Sequence, residues 1–168
     1  MTARVIDTNV LIVANGKTEQ ASLDCFSCCV TALDKARQQR VVIDDAFLIF
    51  SEYQHEVSPS GQPGLGDAFL LWLLQNWANP VCCETVPLTS NNLNSFEEFP
   101  DDPDLTNFDP SDHKFVAVAN VSIHRPVILN AVDSDWWIHG KVLERNGIEV
   151  THVCKEQMII WEKNKTQK

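Results

Sequence analysis

The composition describes a folded, acidic protein. Of its 168 residues, 44% are hydrophobic and five are tryptophan, which excludes an intrinsically disordered chain and predicts one domain over residues 1–168. The formal net charge is −10, and positions 41–113 contain 13 acidic residues but no Lys or Arg. This distribution excludes a surface built to neutralise many phosphates of duplex DNA.

Strands and helices alternate along the first half of the chain. "RVIDTNVLIV" (4–13) predicts a buried strand that continues into a helix, and apolar residues at helical spacing predict a second helix over 22–39. "VVIDDAFLIFSEYQHEV" repeats the strand-and-helix pattern, with Asp45 as the expected N-cap of a helix over 46–57. After the break at "SPSGQPG", "LGDAFLLWLLQNWANP" predicts an apolar helix that ends at Asn79 and Pro80.

The second half begins with an acidic, proline-containing segment at about 91–109, which predicts a long loop. Asp109 and Pro110 are the expected N-cap and first residue of a helix in "SDHKFVAVANVSI". A strand in "PVILNAV", a turn and helix in "DSDWWIHGKVLERNG", a strand in "IEVTHV" and a frayed, lysine-rich tail follow. Because the strands are apolar throughout and alternate with helices, we predict a three-layer α/β/α fold with a central parallel sheet.

Acidic residues follow three of the predicted strands. They are Asp7, Asp44, Asp45, Asp133 and Asp135. Parallel strands present their carboxyl ends at one edge of the sheet, where active crevices lie. We expect Asp7 and Asp133 to form an acidic site there, with Asn9 orienting Asp7 or its metal. The structural alternative is that these residues cap helices or form turns, and Asp135 ranks below Asp133 because it could cap the next helix.

Two helices add further carboxylates. Glu52 shares an apolar helix face with Leu48 and Ile49, although Glu56, one turn later, could be the participant instead. Asp112 has apolar residues three, four and seven positions after it, which predicts a buried side chain. The alternative is that Asp112 serves only to stabilise its helix, through a favourable interaction with the helix dipole.

Such a group of carboxylates has no basic partner nearby in the sequence and would repel itself. Hard divalent cations with oxygen ligands, Mg²⁺ or Mn²⁺, relieve that repulsion. Mg²⁺ can also present a hydroxide nucleophile and neutralise a phosphodiester. The residues therefore indicate metal-dependent chemistry at a phosphodiester bond.

Four segments together resemble the PIN-domain family of metal-dependent nucleases: "RVIDTNVLI", "FSEYQHEV", "DPSDHKFVAVA" and "LNAVDSDWW". The resemblance covers nearly the whole chain and implies a PIN-like fold. It also implies an endoribonuclease that hydrolyses single-stranded RNA with Mg²⁺ or Mn²⁺, often as the toxin of a bacterial toxin–antitoxin pair. The catalytic residues that it implies are Asp7, Glu52, Asp112 and Asp133. The implied metal ligands are Asp7, Asp112, Asp133 and Asp135. The chain departs from the family at Trp136 and Trp137, where phenylalanine is usual.

Charge separates the expected RNA-binding side from the expected protein-binding side. We expect single-stranded or structured RNA to approach four cations: Lys114, Arg125, Lys141 and Arg145. The acidic segment would then meet a basic protein, either an antitoxin or a component of a defence complex, and a homodimer is a further expected assembly. The apolar residues expected to contact that protein are Phe96, Phe99, Leu105 and Phe108. The alternative is a solvated, mobile loop.

Two other functions fit parts of the sequence. One is a catalytically silent PIN-fold module that binds RNA or protein, although the intact acidic set argues against it. The other is a phospho-accepting receiver domain, because "VVIDDA" resembles the acidic pocket of such a domain. A receiver domain also requires a Lys at a later strand end, and no Lys stands there in this sequence. RNA cleavage that EDTA abolishes would separate the nuclease from both.

The remaining residues predict no further site. No segment has the length and apolarity of a membrane span and no signal segment is apparent, so we expect a cytoplasmic protein without a membrane partner. Its six cysteines are then expected to be reduced, and buried thiols are favoured over zinc ligands because no second spaced pair follows "CFSCC". His113 is expected at the surface.

Overall fold

A central parallel sheet organises the fold. The structure, a computed structural model, describes residues 2–167. Within this range five parallel strands form one sheet in the order β3-β2-β1-β4-β5. The strands are β1 (Ala3–Ile6), β2 (Arg40–Asp44), β3 (Cys83–Val86), β4 (Val127–Asn130) and β5 (Val150–His152).

Helices cover both faces of this sheet and confirm the predicted three-layer α/β/α fold. Within residues 2–167 they are α1 (Thr8–Ala14), α2 (Leu23–Ala36), α3 (Leu48–Glu56), α4 (Leu65–Asn76), α5 (His113–Val121), α6 (Ser134–Ile138), α7 (Gly140–Arg145) and α8 (Lys155–Thr166). Helices α1, α2 and α4 pack on one another, and α5 lies against β1, β2 and β4. None of the helices in the described range is long and apolar enough to cross a membrane.

The central strands are apolar because both of their faces are covered. Val5 and Ile6 in β1 and Ile43 in β2 have no exposed surface. Each of these strands leads directly to an aspartate, since the chain must turn back into a helix at the carboxyl edge. Asp7 and Asp44 therefore lie on neighbouring strands at the same edge of the sheet.

The cap of α3 differs from the prediction. Asp44, which is fully buried, accepts hydrogen bonds from the backbone N–H groups of Leu48 (2.8 Å) and Ile49 (2.9 Å). The assignment of Asp45 as N-cap was wrong, because Phe47 adopts a left-handed backbone conformation (φ 60°) and the helix begins only at Leu48. Asp45 is exposed. Asp133, not Asp135, similarly caps α6 by accepting from the N–H of Asp135.

Strand β3 and helix α8 were not predicted. Strand β3 is a four-residue edge strand that pairs only with β2, and its sequence CETV carries too little alternation to be recognised. Helix α8 extends to Thr166, where a frayed tail was expected, and it buries Met158.

The expectation that all cysteines are reduced was also wrong. Cys25 on α2 and Cys154 at the start of α8 form a disulfide, because α2 and the end of β5 bring their Cα atoms within 5.1 Å. Cys29 remains a thiol with its Sγ 3.8 Å from that of Cys154. Burial raises the pKa of Cys29 to about 12, so this thiol stays protonated.

The acidic loop at 91–109 is packed against the domain. Leu105 and Phe108 are only 1% exposed, so their assignment to a protein-binding surface was wrong. His113, expected at the surface, is half-buried beneath the loop, where its ring stacks on Phe99 and its nitrogens contact Ser95 Oγ and the carbonyl of Phe108. The mobile-loop alternative does not account for this packing.

Candidate metal site at the carboxyl edge of the sheet

Three carboxylates converge at the carboxyl edge. Asp7 follows β1, Asp133 follows β4, and Asp112 ends a short 3-10 turn directly before α5. Each offers an oxygen, and these oxygens all lie within 4.8 Å of one another. Asp7 and Asp112 are buried and Asp133 is half-buried. The structure thus brings together three of the four predicted metal ligands.

Asp7 is held by neutral hydrogen-bond donors. Its Oδ1 accepts from the backbone N–H (2.8 Å) and the side-chain amide (2.7 Å) of Asn9, and its Oδ2 accepts from the indole N–H of Trp136 (2.5 Å). Asn9 is itself fixed, because its Oδ1 accepts from the N–H of Ala131 (2.7 Å). Asp7 therefore serves both as the N-cap of α1 and as a member of the acidic group.

Sequence reasoning missed two residues that shape the site. Asn130, fully buried at the end of β4, donates to the carbonyl of Asp133 (2.9 Å) and accepts from its N–H (3.1 Å) and from the amide of Asn9 (3.0 Å). An asparagine at the end of an apolar strand was the available signal. Trp136 was noted only as a departure from phenylalanine, although its indole N–H gives it a polar group that phenylalanine lacks.

Burial raises the pKa values of the three carboxyl groups, and the charges of nearby carboxylates add to this effect. For Asp112, burial is the largest cause and the charges of Asp7 and Asp133 add to it. Burial likewise raises the pKa of Asp7, and this outweighs the opposing hydrogen bond from Asn9. The pKa of Asp133 is raised by burial as well. No cation is among the main influences on these three pKa values.

Glu52 lies beside this group and has its own partners. One carboxylate oxygen accepts from the hydroxyl of Thr8, and the other pairs with the ammonium group of Lys114. Lys114 is 9% exposed and also donates to the carbonyl of Ser111. The alternative residue Glu56 is exposed on α3. Glu52 is therefore the helix carboxylate at the site, but it is neutralised by Lys114.

Asp135 does not join the three carboxylates. Its Oδ2 accepts from the N–H of Asp109 (2.7 Å), and its Oδ1 lies 3.1 Å from Nδ1 of His139. These contacts connect the end of the acidic loop to α6. This geometry does not favour the predicted role of Asp135 as a metal ligand.

The four predicted RNA-binding cations do not form one surface. Lys114 lies at the site. Arg145 pairs with Asp102 (2.5 Å) and Asp104 (2.7 Å) of the acidic loop. Arg125 precedes β4 and so lies at the opposite, amino edge of the sheet. Lys141 is exposed on α7, and its contact with RNA stays a prediction.

Comparison with known proteins identified no relative. No protein family, no curated protein and no solved structure matches this chain. The resemblance to PIN-domain nucleases rests on the four motifs and stays a prediction. The chemistry of the site has to be inferred from its own residues.

Proposed function

We propose that this chain is a Mg²⁺- or Mn²⁺-dependent endoribonuclease of the PIN-domain type that hydrolyses single-stranded RNA. One observation carries the proposal: Asp7 and Asp112, which are buried, and Asp133, which is half-buried, each offer an oxygen within 4.8 Å of the other two. The donors to Asp7 are all neutral groups. Clustered carboxylates without a cation are costly unless a metal ion compensates them.

The donor set fits a hard divalent ion. Asp7, Asp112 and Asp133 would hold it, since carboxylate oxygens are the preferred ligands of Mg²⁺ and Mn²⁺. When bound, such an ion supplies an activated water and neutralises charge on the phosphodiester. Asn9 and Trp136 fix the carboxylate of Asp7 in one orientation, and Asn130 fixes the turn that carries Asp133. The carboxylate of Asp7 and the turn that carries Asp133 are thereby positioned by the protein itself.

Lys114 supplies the positive charge for the substrate phosphate. Glu52 and the Ser111 carbonyl hold its ammonium group in a nearly buried position beside the carboxylates. We therefore assign Glu52 to the positioning of Lys114, in place of the directly catalytic role that the resemblance implies. Lys114 can contact a phosphate oxygen while it keeps its bond to Glu52, because an ammonium group has three donors.

The test is cleavage of a labelled single-stranded RNA by the purified protein with Mg²⁺, Mn²⁺ or EDTA. We expect cleavage with either ion and none in EDTA. Asp7→Asn, which removes the charge at nearly constant volume, should lower the rate by more than the roughly 100-fold that loss of an outer hydrogen-bonding partner costs. Asp45→Asn is the matched control, because Asp45 is exposed near the same edge and outside the site.

Absence of cleavage would favour a different class of protein. RNA binding that persists in EDTA, with no cleavage under either ion, would identify a catalytically silent RNA-binding module. The predicted partnership with an antitoxin or a defence-complex protein stays a separate prediction. Exposed acids of the loop, such as Glu97 and Asp101, are the side chains that such a basic partner would meet.

A further inference from the structure

A cavity of about 400 Å³ adjoins the carboxylate site, between α3, the acidic loop and the start of α5. Glu52 and Lys114 both line it. Ser111, which precedes Asp112, lines it as well. On the other side, the bond between Glu52 and Thr8 connects its wall to the residue that follows Asp7. The cavity therefore lies next to the three carboxylates, although none of them lines it.

The remaining walls combine apolar side chains with polar groups. Leu48 on α3 is 39% exposed, and Phe96 of the acidic loop is half-buried. His55 on α3 and Asn94 on the loop are exposed and line the same cavity. Side chains of this kind offer an apolar contact surface together with hydrogen-bond donors and acceptors.

The charge of the lining favours a neutral ligand. Glu52 and Lys114 carry the formal charges among the lining residues, and they pair with each other. The cavity is therefore neutral, although positions 41–113 around it contain 13 acidic residues and no Lys or Arg. A neutral, flat heteroaromatic group fits such a lining, whereas a free polyanion gains little there. Aromatic stacking and polar contacts at the base edge are how proteins bind unpaired bases of RNA.

We propose that this cavity binds one unpaired nucleobase of the substrate, directly beside the phosphodiester that faces the carboxylates. This inference rests on the proposed ribonuclease function and adds a base-recognition subsite to it. The volume lies within the roughly 300–1,000 Å³ of small-ligand pockets. Phe96 provides the apolar contact, His55 and Asn94 contact the base edge, and Lys114 holds the adjoining phosphate.

Two measurements test the subsite. The first uses saturation-transfer NMR to measure the binding of each of the four uncharged ribonucleosides in EDTA. The second is the base preference at cleavage sites in a randomised single-stranded RNA with Mn²⁺, read by sequencing. Both are applied to wild type, Phe96→Ala and His55→Ala. Leu93→Ala is the matched control, because Leu93 lies on the same loop, is 83% exposed and does not line the cavity.

We expect the wild type to favour one or two nucleosides, and Phe96→Ala to weaken that binding on the order of 10-fold, as loss of a stacking side chain does. Cleavage preference should flatten in Phe96→Ala and change in His55→Ala, while Leu93→Ala matches the wild type. Because His55 is exposed, its variant keeps the test decisive even if Phe96→Ala fails to fold.

The two proposals fail in different ways. RNA cleavage whose base preference is unchanged in both cavity variants would overturn the subsite and leave the nuclease standing. Nucleoside binding that depends on Phe96, without RNA cleavage, would support the pocket as a base-binding site and overturn the nuclease. Absence of nucleoside binding to the wild type would also overturn the subsite.

Discussion

Asp7 serves the fold and the proposed chemistry with the same carboxylate. Its Oδ1 caps α1 through the N–H of Asn9, and its Oδ2 accepts from Trp136. The two interpretations open at the sequence level, helix cap and site residue, are compatible in this geometry. Because the cap uses Oδ1, the orientation of Oδ2 depends on Trp136.

Trp136→Phe tests that dependence. The substitution keeps a buried aromatic ring but removes the indole N–H, so Oδ2 of Asp7 loses its donor. We expect activity and Mn²⁺ affinity to fall by about 10- to 100-fold, as for other outer hydrogen-bonding partners of a metal ligand. Isothermal titration with Mn²⁺ measures the affinity independently of turnover.

Trp137→Phe is the control for this substitution. Trp137 is only half-buried and packs against His152, away from Asp7. Its substitution should leave Mn²⁺ affinity unchanged. Equal effects of the two substitutions would mean that Trp136 supports the core and does not position Asp7.

Helix α4 is anchored by a buried carboxylate that no sequence pattern singled out. Asp67 is fully buried and accepts from the N–H groups of Ser58 (2.7 Å) and Gly64 (2.8 Å) and from the amide of Asn15 (2.8 Å). Burial opposes its ionisation, but the three hydrogen bonds outweigh burial and lower the pKa of Asp67. Nearby, Gly66 allows α4 to approach α1 closely, since a Cβ there would lie 2.2 Å from the carbonyl of Leu11.

Asp67→Asn should therefore destabilise the protein by about 1–3 kcal/mol at pH 7, because an amide cannot accept all three bonds. A lowered folded-state pKa means that the ionised group stabilises the fold above its ordinary pKa of 3.8. That stabilisation is lost as pH falls from 3.8 through the lowered value. Urea unfolding at pH 7 and pH 3 should show a difference between the two proteins that narrows in acid.

Asp24→Asn is the reference for this comparison. Asp24 is exposed in the first turn of α2 and interacts there mainly with the helix dipole. We expect a change of less than about 1 kcal/mol from it. A loss in Asp67→Asn that stays the same at both pH values would contradict the role of the ionised carboxylate.

How far elements could be predicted depended on their burial. The strand-to-helix transition at Asp7 was predictable because β1 is buried on both faces and leaves a continuous apolar run. Strand β3 was not, since it lies at the sheet edge and only two of its four residues are buried. The partnership of Trp136 with Asp7 joins positions 129 residues apart, and no local pattern encodes it.

Lys114 and Arg145 are both paired with carboxylates of the protein itself. Lys114 is bound to Glu52, and Arg145 is bound to Asp102 and Asp104. The sequence showed where the charges are, but not which of them pair. The three carboxylates of the site are left without a partner of opposite charge, so the stability of the whole fold should respond to divalent ions and to pH.

Asp112→Asn tests whether the unpaired carboxylates of the site lower the stability of the whole fold. A carboxyl pKa raised above 3.8 in the folded state means that stability is greatest below 3.8 and falls as pH rises through the raised value. The variant lacks this penalty, and the side chain of Asp112 makes no capping bond to α5 that would be lost. In EDTA at pH 8 we expect Asp112→Asn to be more stable than wild type by at least about 1.4 kcal/mol, the equivalent of one pKa unit. The difference should shrink near pH 4.

With Mn²⁺ at 100 times its Kd the wild type should gain about 2.7 kcal/mol and the variant much less, which would reverse their order or close the gap. Thermal unfolding of both proteins in EDTA at pH 8 and pH 4, and with Mn²⁺ at pH 8, measures these values. A variant that is less stable than wild type in EDTA at pH 8 would show that Asp112 supports the fold, and that no ion is needed to balance its charge.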